Sequence, residues 1–325
     1  MTLRWGIGRV ALGAAVAAGT ALVAPAAMAA PFSSLTVFGD SLTDTGNAQL
    51  GAQALGLPSP TPAAIGYADG RFSNGPVWVD TLSERIGTGA VVPRLAGGTN
   101  YSVGGARAVT NADASPDLAA QIGAFAGDIA FTGKPADPTG LYVLNIGGND
   151  ARSIRAANLD APDPFAVAAA VAAGVSALNQ LGARSILVAG IPDVGLQPEA
   201  NGGEAAGQAI SVLLNTALGG ALDQLSLLPG SSLYRLDFLG LTDAIAANPA
   251  SFGFTQSIDT PCLAAPGAAP ACAGFLFFDA IHPTTAAHQL IGAAAGSLVS
   301  VPEPASVALF GLGLLALAGC RRRAA

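Results

Sequence analysis

The sequence predicts an α/β fold: a three-layer α/β/α sandwich around a central, mostly parallel sheet of five strands. Two observations carry this. Between Pro31 and Ser300, short apolar runs alternate with longer segments of helical periodicity, the pattern of a parallel sheet covered on both faces. Several apolar runs also stop at a glycine followed by Ser, Asn or Asp, as strand ends do where an α/β sheet presents ligand-binding loops.

The strand candidates are Leu35–Phe38, Asn100–Val103, Leu141–Ile146, Ser185–Ala189 and Ser232–Leu236. Each is a short run, the length expected of a strand rather than a helix. Helices are predicted over Val77–Ile86, Asp117–Phe125, Phe165–Leu181, Ala205–Leu228 and Thr284–Leu298. Pro164 opens the third and Gly182 closes it, the usual punctuation of helix ends. Thr260–Gly274 is rich in Pro, Ala and Gly and is expected to be an irregular surface insertion. No repeat or composition shift divides residues 31–300, so one domain is expected there.

The two ends differ from this interior. Residues 1–30 have Arg4 and Arg9, an apolar stretch from Val10 to Val23, and Ala27-Met28-Ala29. That is the layout of a signal peptide with its cleavage site. Residues 301–325 begin with Val301-Pro302-Glu303-Pro304, continue as an uncharged apolar segment from Ala305 to Cys320, and close on Arg321-Arg322-Arg323. The apolar part is somewhat short of the ~20 residues that span a bilayer. The arginines at both ends predict that both face the cytoplasm during export, with residues 31–300 outside.

The chain is apolar overall (51% hydrophobic, 11% charged) and carries a net charge of −7. Without Arg4, Arg9, Glu303 and the three terminal arginines, nine basic and 20 acidic residues remain, a net charge of −11. Such a domain is a poor partner for nucleic acid or anionic lipid. Of the three cysteines, Cys320 lies in the tail, while Cys262 and Cys272 flank a short loop and read as a disulfide in an exported protein. With Cys262 and Cys272 paired and Cys320 in the tail, the two histidines are too few for a structural zinc site.

Four segments carry candidate chemistry. Gly39-Asp40-Ser41-Leu42 places a serine just past the first strand. Asn100-Tyr101-Ser102-Val103-Gly104-Gly105 and Leu144-Asn145-Ile146-Gly147-Gly148-Asn149-Asp150 end two further strands in double glycines. Asp279-Ala280-Ile281-His282 precedes the last helix. Asp and His three residues apart on a tight turn can seat the carboxylate on one ring nitrogen and turn the other outward, which fixes the tautomer of a base. His288, the other histidine, has no carboxylate nearby in sequence and reads as a packed residue. A serine N–H, a glycine N–H and the Asn149 amide aimed at one point would make an oxyanion site.

In this order the four segments resemble the SGNH, or GDSL, family of serine esterases and lipases. Gly70-Arg71-Phe72-Ser73-Asn74-Gly75-Pro76-Val77-Trp78 and Ile191-Pro192-Asp193-Val194-Gly195 match two further family segments. The resemblance implies a flavodoxin-like fold and a secreted hydrolase of carboxylic esters. It implies Ser41 as nucleophile, His282 as base and Asp279 as the group that orients it. Ser41, Gly105 and Asn149 would supply the oxyanion hole, with Gly104 the alternative to Gly105. No cofactor or metal is implied. Asp40, Asp44 and Asp150 are expected to hold loops. Phe72, Trp78, Phe275, Phe277 and Phe278 are expected either to line an acyl site or, more simply, to pack. An α/β-hydrolase elbow, Gly-x-Ser-x-Gly, is excluded because Thr43 stands at its last position.

The tail resembles the PEP-CTERM sorting signal of Gram-negative bacteria. That implies handling by an exosortase, transient anchoring in the inner membrane and delivery to the cell surface or matrix; a simple membrane anchor is the alternative. The substrate stays open between acyl esters and acetylated surface polysaccharide. A surface or matrix protein without catalysis on the same fold is the reading from another class.

Overall fold

The computed structural model describes residues 32–300. The expected signal peptide over 1–30, the expected sorting tail over 301–325 and Cys320 lie outside the described residues.

The strands are β1 (Leu35–Gly39), β2 (Leu141–Asn145), β3 (Ser185–Ala189) and β4 (Ser232–Leu236). They form one parallel sheet in the order β1-β2-β3-β4, with Val37 opposite Val143 and Val143 opposite Leu187. The helices are α1 (Asn47–Ala54), α2 (Trp78–Ile86), α3 (Leu118–Thr132), α4 (Gly148–Arg155), α5 (Pro164–Leu181), α6 (Glu204–Asp223), α7 (Phe238–Ala247) and α8 (Thr285–Val299). Successive strands are added in one direction, and right-handed crossovers put α3, α5 and α6 on one face, whereas α2 and α8 lie on the other.

Alternate strand residues therefore feed two cores. Phe38, Tyr142, Leu144, Ile186 and Val188 pack with α3, α5 and α6. Leu35, Val37, Leu141, Val143 and Leu187 pack with α2, α8 and Phe238. The two-residue period of a strand gives this division directly. Helices α5 and α6 are apolar and long enough to cross a membrane. Here Val167, Val171 and Val175 of α5, and Leu214 and Leu218 of α6, are buried against the sheet.

The sheet has four strands, not five. The segment Asn100–Val103 does run beside β1: Tyr101 N donates to Val37 O and Val103 N donates to Gly39 O. Yet it makes only a single bridge, Val37 with Asn100. The physical reason is Gln121 of α3. Its Oε1 accepts from Gly39 N at 2.9 Å and its Nε2 donates to Gly39 O at 2.8 Å. The side-chain amide takes the N–H that a continuing ladder would have used.

Three helices have no counterpart in the sequence reading. α1 lacks an apolar face. α4 starts inside the Gly-Gly-Asn-Asp run that reads as a turn. α7 begins where Asp237 caps it, accepting from Gly240 N at 2.8 Å. α6 stops at Asp223 rather than reaching Leu228, whose N–H donates to Asn179 Oδ1 instead.

The insertion around 260–274 is less superficial than expected. Cys262 and Cys272 are joined by a disulfide, with Cα atoms 5.4 Å apart. Both are buried and form a small core with Phe275 and Phe278.

Candidate active site

Ser41 sits where β1 ends. Gly39 is required there, since a Cβ would collide with Asn145 O and Thr43 Oγ1. The chain then turns at once: Thr43 N and Asp44 N both donate to Asp40 O. Asp44 holds the far side of this turn, accepting from Gly46 N, Asn47 N, Ala48 N and Gly104 N. Ser41 is left at the start of the turn with its N–H unpartnered among the described residues.

His282 arrives from the other end of the domain. Its loop is pinned by Phe278 N to His282 O, Thr284 N to Leu276 O and Thr284 Oγ1 to Phe275 O. Its ring is held between two groups. Nδ1 lies 2.7 Å from Asp279 Oδ2, and Nε2 lies 2.8 Å from Ser41 Oγ. Asp279 Oδ1 meanwhile accepts from Ile281 N and His282 N. Burial pushes the Asp279 carboxyl up, but the hydrogen bonds from His282, Tyr67 and Ile281 outweigh it and hold the group at about 2. An imidazole placed this way, with a carboxylate behind it and a hydroxyl in front, can take the hydroxyl proton.

The Gly70–Trp78 segment supports this loop from outside. Phe72 packs its ring on the His282 imidazole, 5.1 Å between centroids. Ser73 Oγ donates to Pro283 O, and Asn74 Oδ1 accepts from Thr285 N at the start of α8. Arg71 forks onto Asp80 at 2.8 and 3.0 Å.

Asn149 reaches the loop after Val103, next to Gly105. Asn149 Nδ2 donates to Ala106 O at 2.9 Å, one residue past Gly105. Gly105 has φ +89°, and its N–H has no partner among the described residues. Gly104 is different: its N–H is taken by Asp44 Oδ2 at 2.9 Å. Asp150 anchors the same loop by accepting from Ala108 N and Val109 N. A cleft lined by Ser41, Asn149, Arg152 and His282 brings the serine and the asparagine together, whereas Gly105 stands outside that lining.

The contacts of Tyr67 and Arg152 have no sequence signal. Tyr67 Oη donates to Asp279 Oδ2 at 2.6 Å, from a loop more than 200 residues earlier. Arg152 donates to Asn149 Oδ1 at 2.9 Å and is itself forked onto Glu199 at 2.7 and 2.8 Å. Burial, with Asp150 adding to it, pushes the Asp40 carboxyl up to about 7 against the Leu42 N–H and Arg152. His288 is fully buried, and Nδ1 accepts from Trp78 N at 3.2 Å. Burial holds it neutral, down to about 3. Of the aromatics, Trp78 is fully buried with Nε1 on Asn145 Oδ1, and Phe275 and Phe278 pack against the disulfide. No group of three or more metal-ligating side chains occurs among the described residues.

Comparison with known proteins fixes the lineage. Residues 35–295 match the GDSL-like Lipase/Acylhydrolase profile. The chain belongs to the GDSL-like lipase/acylhydrolase family. Residues 300–323 match the PEP-CTERM protein-sorting motif. Esterase EstA of Pseudomonas aeruginosa is similar to this GDSL protein: 31% identical over 327 residues, covering 83% of this chain and 47% of EstA. The chain thus spans about half the length of that relative. The phosphatidylcholine-sterol acyltransferase of Aeromonas hydrophila is 27% identical, covering 82% of this chain and 90% of the relative. Among solved structures, the acetylxylan esterase Axe2 of Geobacillus stearothermophilus is 15% identical, with a TM-score of 0.43 over 83% of this chain and 95% of that one.

Proposed function

We propose that this GDSL-family protein hydrolyses carboxylic esters, with Ser41 as nucleophile. One observation carries the reading: the unbroken line Ser41 Oγ, His282 Nε2, His282 Nδ1, Asp279 Oδ2, with steps of 2.8 and 2.7 Å. Ser41 Oγ attacks the ester carbonyl carbon while His282 takes its proton. The tetrahedral oxyanion is met by Ser41 N–H, Gly105 N–H and the Asn149 amide. The C–O bond to the alcohol breaks, and His282 returns the proton to the leaving oxygen. Water then attacks the acyl-serine, again giving a proton to His282, and the carboxylic acid leaves with Ser41 restored. Asp279 stays ionised throughout and stabilises the imidazolium. The esterase relatives and the family membership support this reading.

The sorting motif supports export, processing by an exosortase, and a place of action at the cell surface. The test of the chemistry is direct. The purified protein should turn over p-nitrophenyl esters and be labelled by a fluorophosphonate, and Ser41→Ala should abolish both. Retention of most activity in Ser41→Ala or His282→Ala would sink the assignment. A folded wild-type protein that neither labels nor turns over would favour a non-catalytic surface role.

A further inference from the structure

We propose that an apolar pocket running inward from Ser41 holds the acyl chain of the ester, and that its closed end selects short linear acyl groups of about butyryl size. The proposal rests on Ser41 being the nucleophile. The cleft at Ser41 and a second, more enclosed pocket share Leu42, Pro192, Gln197 and Ile281. The pocket therefore adjoins the cleft of the reacting serine, and Leu42, the residue after Ser41, lines both. Beyond that neck its walls are Phe238, Ile245, Leu276, Phe277, Ala287 and Ile291. They come from α7, the segment before His282, and α8. All are buried.

Two of its polar liners, Asp193 and Thr242, are engaged by neighbouring groups. Asp193 Oδ1 accepts from Gly195 N at 2.7 Å. Thr242 Oγ1 accepts from Asp193 N and hydrogen-bonds back onto Phe238 O and Leu239 O within α7. What remains facing the space is mostly hydrocarbon, which favours a ligand that is also hydrocarbon.

The reaction itself decides which half of the ester goes in. The alcohol must leave and water must enter, so both need the open side, where Arg152 is partly exposed. The acyl group stays bonded to Ser41 between the two steps, and a closed pocket suits the part that stays. Size follows from volume. The pocket has about 40 Å³ of free space. A water needs roughly 10–15 Å³ on the same measure, so there is room for about three water-sized groups, or a chain of three or four carbons. An acetyl group would leave the pocket empty, and a long chain would have to break its end wall.

Each methylene buried is expected to gain about fourfold in kcat/KM until the pocket is full. The experiment is a series of p-nitrophenyl acetate, butyrate, hexanoate, octanoate and dodecanoate on the purified protein. We expect a maximum at butyrate, roughly fifteenfold above acetate, with a steep fall past hexanoate. Ile245→Ala, which enlarges the pocket, should move the maximum to longer chains. Ala287→Leu, which fills the pocket, should bring the butyrate-to-acetate ratio close to one. Should Ala287→Leu fail to fold, the wild-type profile and Ile245→Ala decide alone. A flat profile, a maximum at dodecanoate, or a maximum unmoved in Ile245→Ala overturns the pocket assignment while fluorophosphonate labelling of Ser41 leaves the serine intact as nucleophile. Absence of labelling and of turnover on every ester overturns the nucleophile, and the pocket's role with it.

Discussion

Tyr67 Oη donates a 2.6 Å hydrogen bond to the same Asp279 oxygen that meets His282 Nδ1. The tyrosine ring is in turn seated edge-on against Phe278, 4.8 Å between centroids. The carboxylate is thus fixed from both sides, by its own loop and by a loop from the far end of the chain. Tyr67→Phe keeps the ring and removes the donor. A hydrogen bond to a charged group is worth about 1.5–3 kcal/mol. We expect kcat/KM on a p-nitrophenyl ester to fall about tenfold, mainly in kcat, with the acid limb of the pH–rate profile altered. An unchanged profile would reduce Tyr67 to a packing residue.

Arg152 should act on the reaction through Asn149. Its Nη1 holds Asn149 Oδ1, which leaves Nδ2 as the amide group aimed toward Ala106 and the cleft. Asn149→Ala is expected to cost about 10²–10³ in kcat, the usual loss for one oxyanion donor. Arg152→Ala should cost less, roughly tenfold in kcat with KM little changed, because the amide remains but is free to turn over. Steady-state kinetics of the two variants and of the double variant give the coupling. Fully additive losses would show that Arg152 does not work through Asn149.

Asp40 and Asp279 should bend the pH dependence of stability in opposite senses. The Asp40 carboxyl is raised to about 7 in the folded protein. Its favourable contribution is present below the unfolded value near 3.8 and is lost as pH rises through about 7. Asp279, lowered to about 2, contributes above 3.8 and loses that contribution as pH falls toward 2. Asp40→Asn keeps an oxygen for Leu42 N and removes the titration. Thermal unfolding of this variant should therefore lose less stability than wild type between pH 4 and 8. Parallel curves for the two proteins would refute the burial effect.

The disulfide closes a loop between positions ten residues apart. By loop-closure entropy that is worth ~3 kcal/mol. Replacing both cysteines with serine should lower Tm by several degrees. Because Phe275 and Phe278 pack on the sulfurs and Phe278 N holds His282 O, activity should decay at lower temperature than in wild type. Calorimetry alongside activity after heating tests both parts. Equal Tm values would mean that the small core holds the loop without the bond.

Much of this architecture is legible in the chain, for identifiable reasons. Three of the four strands are short, mostly apolar and buried runs with turn residues after them, while β4 mixes Ser232 and Arg235 with apolar residues and is half exposed. The Ser41 and Asp279/His282 segments stand out because histidine is so scarce and each lies beside a turn. The fifth strand was misleading. Asn100–Val103 has the composition of a strand, but whether it completes a ladder depends on Gln121, a side chain on a helix that sequence alone does not bring near. The choice between Gly104 and Gly105 could not be read either, since what separates them is the Asp44 carboxylate taking one N–H. Tyr67, Arg152 and Glu199 come from loops and helix faces with no fixed spacing to the residues they hold. α4 was hidden because glycines and asparagine signal a turn as well as they signal the first turn of a helix.

Ser41 follows the first strand and His282 precedes the last helix, 241 positions apart, with their bond joining the two extremes of the fold. Nothing shorter than the whole domain can make that contact. A chain still being synthesised, or one clipped before His282, would carry the serine without its base. Ester turnover would then serve as a readout of completed folding, since the capacity to react arises only when the two ends of the domain have met.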